Sequence, residues 1–331
     1  MIPLAPTALP TPQRHTVTAP DGWRLSVLDF APDGAAWGCV LLGHAMMVDR
    51  RTLCRPDRDT IASRFCAAGL RVLVADARGH GESGPTAQEG GSWGYDELVS
   101  DTGPLVEFAR QLTPDLPLAL VGHSLFGHTS LAWLGMHPEA PVQGILHFAC
   151  TVWAKELERS RIRWGFKSAV LRATASISGL WGRAPIRALR MGNMDEPALY
   201  WRDFRDMANR GCWSRRDGLP YAQGLPRIDI PALIISSEAD PLFGHPNDIE
   251  AFSAPLGRGR ELLQLGRLAP EHPLHSIVPG HMALATDPTS APLWDHASNW
   301  LKHRLRPDLS ALSNDGKPVE RPARRYHERC E

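Results

Sequence analysis

The chain has no excess of charge of either sign: 36 Lys and Arg side chains balance 36 Asp and Glu. A net charge of zero gives no reason to expect nucleic acid or an anionic membrane as partner. No apolar run approaches the roughly 18 residues that would cross a bilayer. The N-terminus, Met1 to Pro12, lacks the charged start and the apolar middle of a signal peptide, and it reads as a loose arm. None of the six cysteines (Cys39, Cys54, Cys66, Cys150, Cys212 and Cys330) forms a C-x-x-C pair, which argues against a zinc or thioredoxin-type site. Cys39 and Cys150 sit in apolar runs and read as buried free thiols. That fits a reducing compartment, and a cytoplasmic location is expected. No internal repeat is present.

Of the 331 residues, 43% are hydrophobic and 22% charged, an ordinary globular composition with enough apolar mass for a large core. His15 to Phe30 alternates around Pro20-Asp21-Gly22 and reads as an edge hairpin. Apolar strands are expected at Gly38–Leu42, Leu70–Ala75, Leu118–Val121 and Val142–Ala149. Amphipathic helices lie between them at Arg58–Ala68 and Tyr95–Gln111, the second broken or kinked at Gly103-Pro104. Near-continuous apolar strands alternating with helices predict an α/β fold, a mostly parallel sheet covered on both faces. Ligands in such folds bind beyond the C-terminal ends of the strands.

From 151 to 227 the character changes. Trp153, Trp164, Trp181, Trp201 and Trp213 crowd this stretch, arginines are frequent, and the spacing of Leu199, Trp201, Phe204 and Met207 is helical. It reads as a helical cap whose aromatic residues both pack it and line an apolar pocket. The sheet resumes at Ile228–Ser237, with a short strand near Leu262–Leu265 and a last helix at Ala291–Leu305. The expected organisation is an arm at 1–14, a core at 15–150 and 228–305, a cap at 151–227, and a disordered tail at 306–331.

The chemistry concentrates at Gly122-His123-Ser124-Leu125-Phe126-Gly127, directly after an apolar strand. A Ser after a strand is most often a turn residue. Flanking glycines and a following helix instead suit a nucleophile elbow, whose tight turn pushes the hydroxyl out at the top of the sheet. The G-x-S-x-G form has Gly two positions after the Ser, whereas this chain has Phe126 there and Gly127 one step later. A serine hydroxyl needs a base, and the base a carboxylate. Downstream, Asp240 follows a strand in Glu238-Ala239-Asp240-Pro241, and His281 lies in Pro279-Gly280-His281-Met282. Glu238 is the rival carboxylate, and His272 and His275 are the rival bases.

Five pieces in this order resemble the α/β-hydrolase fold family, in its capped, esterase- and lipase-like branch. They are Gly43-His44-Ala45-Met46-Met47, Asp76-Ala77-Arg78-Gly79-His80-Gly81-Glu82-Ser83, the elbow, Asp240, and Gly280-His281. The resemblance runs from about His15 to Leu305. It implies Ser124 as nucleophile, His281 as base and acid, and Asp240 as orienting carboxylate. Backbone N–H groups of Met46 and Leu125 would form the oxyanion hole. Ala45 departs from the usual Gly of that loop. The implied activity is hydrolysis of a carboxylic ester or thioester on a small, apolar acyl substrate, with no cofactor or metal and no nucleic acid partner. An acyltransferase on the same three residues and a non-catalytic binding protein of the same fold are the alternatives. His44, His123, Asp76 and Arg78 are expected to be supports and His128 a helix residue. Arg159, Arg161, Arg215 and Arg216 are expected on solvated faces.

Overall fold

A computed structural model describes residues 7–257 and 259–306. The expected tail falls outside these residues apart from its first position, and so does the start of the expected arm. Two antiparallel edge strands, β1 (Gln13–Thr18) and β2 (Arg24–Phe30), form the hairpin. Its first strand takes in Gln13 and Arg14, the last two residues assigned to the arm. Then follow β3 (Gly38–Gly43), helix α1 (Ile61–Ala67), β4 (Leu70–Ala75), α2 (Tyr95–Ser100), α3 (Thr102–Leu112), β5 (Leu118–His123), α4 (Leu125–Met136) and β6 (Gly144–Phe148). Helices α5 (Arg161–Trp181) and α6 (Ala198–Arg210) flank a two-stranded ribbon of β7 (Arg183–Ala184) and β8 (Glu196–Pro197). The core closes with β9 (Ala232–Ser237), α7 (Pro246–Ser253), β10 (Arg260–Leu265), α8 (Ala283–Thr286) and α9 (Ala291–Leu305).

The sheet order is β1-β2-β4-β3-β5-β6-β9-β10. Strand β2 pairs antiparallel with β4, and every pair from β4 to β10 is parallel. All residues of β3, β5, β6 and β9 are buried, as their unbroken apolar runs require of a sheet covered on both faces.

Three expectations need correction. Helix α1 starts at Ile61, later than Arg58, because Thr60 stays extended and forms a reciprocal cap with Ser63. The break in the second helix falls at Asp101, not at Gly103-Pro104. Pro104 sits in the first turn of α3, where its missing N–H costs nothing. Asp101 is instead held by Arg78 Nε at 2.8 Å. The β7–β8 ribbon is the third difference. Two residues per strand leave no alternation to read, and the ribbon exists through its pairing of Arg183 with Pro197 and Ala184 with Glu196. Cys39, Cys54, Cys66 and Cys150 are buried free thiols. Cys212 is disulfide-bonded, so the free-thiol reading does not extend to it. No helix among the described residues is long and apolar enough to cross a membrane.

Candidate active site

Ser124 lies between the end of β5 and the start of α4 with φ 53° and ψ −108°, a left-handed backbone that non-glycine residues rarely adopt. Both of its backbone groups are tied. Its N–H donates to Phe148 O at 3.0 Å, and its carbonyl accepts from Gly127 N at 3.1 Å. The turn is possible because strand and helix nearly touch. A Cβ on Gly122 would lie 2.5 Å from Gly127 Cα, and one on Gly127 would lie 1.8 Å from Cys150 Sγ. Here the second small residue of the elbow is therefore Gly127, one position later than in the usual spacing.

Phe126 has found room elsewhere. Its ring covers Gly43 at the end of β3, where a Cβ would come within 2.0 Å of the ring. It borders a narrow internal void with His44, Leu98, Leu105 and Thr129, and that void does not include Ser124 or His281. Gly43→Ala should therefore destabilise the protein by about 1–3 kcal/mol through overpacking. Adding Phe126→Ala should relieve part of that loss. Urea unfolding of the two single variants and the double variant measures the coupling, and strict additivity would contradict the contact.

His281 and Asp240 come together from distant parts of the chain. His281 Nδ1 lies 2.5 Å from Asp240 Oδ2, with the carboxylate almost fully buried. Asp240 Oδ1 also accepts the Phe243 N–H at 3.0 Å. Burial alone would raise the Asp240 carboxyl, but its bond and charge interaction with His281 hold it below the ordinary carboxylate range. His123, the neighbour of Ser124, donates from Nε2 to the His281 carbonyl at 3.0 Å, which fixes the histidine loop against the elbow. Burial pushes the His123 imidazole down to about 3, so the ring is neutral at ordinary pH. The His281 ring is held by Asp240 at Nδ1, and its contact with the Ser124 hydroxyl is of the kind that commonly tightens only when substrate binds.

The rival residues lie elsewhere. Glu238 pairs with Arg267 at 2.9 Å on the surface. His275 bonds the Leu268 carbonyl, and His272 accepts from Leu274 N and packs beside His296. The supports act as supports. His44 bonds Ala45 O through Nδ1 and accepts Ala77 N–H at Nε2, and burial lowers it to about 4. Asp76 accepts from Arg50 N and Glu82 N, and Arg78 bridges Asp21 and Asp101. His128 meets the Tyr95 hydroxyl at 2.7 Å. Arg215 and Arg216 are paired with acidic neighbours.

Among the described residues neither the Met46 nor the Leu125 N–H has a hydrogen-bond partner. The loop that carries Met46 is clamped at Met47, whose φ is 63°. Met47 N donates to Glu196 Oε1 at 2.8 Å, and Met47 O accepts from Asn193 N and Met194 N, both at 3.0 Å. His80 Nε2 lies 3.0 Å from the same Glu196 oxygen. Nothing in the sequence pointed to Glu196, which sits 149 positions from its partner. Phe243 was also missed. Its ring centroid is 5.1 Å from that of His281 and 5.8 Å from that of Trp153, an aromatic row beside the imidazole. Of the other tryptophans of 151–227, Trp201 and Trp213 are buried packing residues, whereas Trp181 is exposed. No cluster of potential metal ligands occurs among the described residues.

The sheet order and the strained serine turn after β5 give the chain the α/β-hydrolase fold. Within it, residues 57–188 match the model of the serine aminopeptidase S33 family. A monoacylglycerol lipase of Mycolicibacterium smegmatis is 31% identical over 128 residues, 39% of this chain and 43% of that protein. The match thus spans less than half of either. Among solved structures, a thermostable carboxyl esterase from Bacillus coagulans superposes with a TM-score of 0.61 at 14% identity, over 90% of this chain and all of that one. An esterase from Exiguobacterium antarcticum gives 0.59 at 17% identity, over 88% of this chain and all of that one. At such identities these structures show the fold.

Proposed function

We propose that the protein is a serine hydrolase that cleaves carboxylic esters or thioesters through an acyl-enzyme on Ser124. The observation that carries this reading is the His281–Asp240 pair held against the strained Ser124 turn by His123. Ser124 Oγ attacks the acyl carbonyl while His281 takes the hydroxyl proton. The carbonyl oxygen becomes an oxyanion that accepts from the Met46 and Leu125 N–H groups. His281 then protonates the leaving alcohol or thiol, the C–O or C–S bond breaks, and the acyl group stays on Ser124. Water, deprotonated by His281, releases the acid and restores the serine. Asp240 stabilises the imidazolium in both steps.

The relatives, a lipase and esterases by name, support an ester as the bond attacked. The helices and ribbon of 151–227 form the proposed cap. The row of Trp153, Phe243 and His281 rings supports an apolar acyl group beside the imidazole.

Ser124→Ala is expected to abolish hydrolysis of p-nitrophenyl esters and labelling by a fluorophosphonate probe, with an unchanged far-ultraviolet spectrum. Retained turnover would remove Ser124 from the mechanism. A wild-type chain that neither turns over esters nor takes the label would be a binding protein.

A further inference from the structure

The even overall charge balance conceals a sharp local segregation. Between residues 159 and 194 the sequence has eight Lys or Arg residues and no Asp or Glu. Helix α5 runs through this stretch, and one of its faces is buried through Lys167, Ser168, Leu171, Ala175 and Ser178. The opposite face carries Ile162, Phe166, Ala169, Ala173, Ile177 and Leu180, all exposed and spaced three or four residues apart. That is one continuous apolar stripe along the length of the helix. Ile162 is 87% exposed and Leu180 84%, so the stripe is a ridge standing out from the protein and not the wall of a groove. Trp181, Leu189 and Met191 continue the exposed apolar surface past the helix end.

The cations divide into two groups. Arg163 and Lys167 turn inward to Glu158 and Asp248, and Arg183 pairs with Asp195. Arg159, Arg161, Arg172, Arg187 and Arg190 are exposed, and none has a carboxylate within ion-pair distance among the described residues. By helical position, Arg161 and Arg172 border the stripe, and Arg187 and Arg190 lie on the loop beside Leu189 and Met191.

We propose that α5 and the loop after it dock on the surface of a bilayer containing anionic lipid, with the helix lying in the interface plane. An apolar ridge flanked by unpaired arginines matches the boundary between acyl chains and negative headgroups. Trp181 at the helix end suits the headgroup level. A second copy of this chain is disfavoured because two such faces would set arginine against arginine. A folded protein partner would have to supply a deep groove to take a ridge so exposed. Docking is a binding property and does not depend on the proposed chemistry at Ser124.

The test is co-sedimentation of the full chain with vesicles of phosphatidylcholine alone, or of equal parts phosphatidylcholine and phosphatidylglycerol. Binding to the anionic vesicles is expected, weakening as salt is raised. The double variant Ile162→Ser/Leu180→Ser should bind them roughly tenfold more weakly, and Arg161→Gln/Arg190→Gln should lose the preference for phosphatidylglycerol. Far-ultraviolet spectra and melting temperatures of both variants should match the parent, since these side chains are exposed. Equal binding to the two vesicle types, binding unaffected by the stripe variant, or no binding at all would overturn the proposal. So would a parent dimer in solution that the stripe variant converts to monomer, which would make the ridge a contact between copies.

Discussion

Asp240→Asn is expected to lower ester turnover by about four orders of magnitude while leaving the protein folded. The substitution keeps the size of the side chain and its acceptor for the Phe243 N–H, 3.0 Å away. It removes the charge that faces His281 Nδ1 at 2.5 Å. An amide there can present its NH2 to the ring and select the tautomer with the proton on Nε2, so that the nitrogen meant to accept the serine proton already carries one. It also withdraws the stabilisation of the imidazolium that forms as Ser124 attacks. The loss should appear in kcat and in the rate of fluorophosphonate labelling, with a smaller change in KM, because the defect lies in the transition state. Turnover within tenfold of the parent would mean that Asp240 is only a loop residue. Glu238 is the obvious substitute by sequence, but its partner Arg267 holds it at the surface.

The parts of this site that were legible in the sequence are those written in short stretches of chain. The strand before Ser124, the glycines around it and the order Ser, Asp, His are local signals plus one ordering rule, and the structure brings His281 to Asp240 as that order implies. Phe126 departs from the usual elbow spacing when read only against its neighbours in sequence. The structure shows that Gly127 makes the close approach to Gly122 and that Gly43, on a different strand, leaves space for the ring. A compensation between residues 43 and 126 has no local signature. Arg159, Arg161, Arg215 and Arg216 were expected on solvated faces; Arg159 and Arg161 are exposed, whereas Arg216 pairs with Asp96 and Glu97. Nothing in the sequence marked that Arg163 turns to Glu158 and Asp248, and only the folded helix shows which cations stay unpaired beside an apolar ridge. The even charge total is silent on this for the same reason, since a sum over the chain says nothing about where each sign gathers. Glu196 escaped notice because its role consists of contacts with residues 47 and 80, far away along the chain.

Glu196→Ala is expected to lower kcat by roughly a hundredfold or more, the scale of losing an oxyanion donor. Met47 holds φ at 63°, a conformation that persists only where its surroundings impose it. Glu196 Oε1 takes the Met47 N–H at 2.8 Å, while Asn193 and Met194 grip its carbonyl from the other side. Asn193 Nδ2 adds a bond to Asp49 Oδ2 at 2.8 Å on the same loop. The residue so fixed directly follows Met46, whose N–H is the proposed donor to the oxyanion. Glu196 is fully buried, and its second oxygen has no partner among the described residues, so the geometry rests on the first. Burial alone would lower His80, but the Glu196 carboxylate outweighs it and raises the imidazole above its ordinary value, which favours a charged ring donating to that same oxygen. Alanine would orphan the Met47 N–H and the His80 ring together and free the loop to leave the strained conformation. Glu196→Gln keeps an acceptor at Oε1 and should retain most of the turnover. The readout is kcat against KM at a temperature where each variant is folded, with labelling of Ser124 as a second measure because phosphonylation draws on the same donors. A lower melting temperature with unchanged kcat would reduce Glu196 to a structural tie. Loss in Ala together with recovery in Gln would make it a residue that positions the proposed oxyanion loop through Met47.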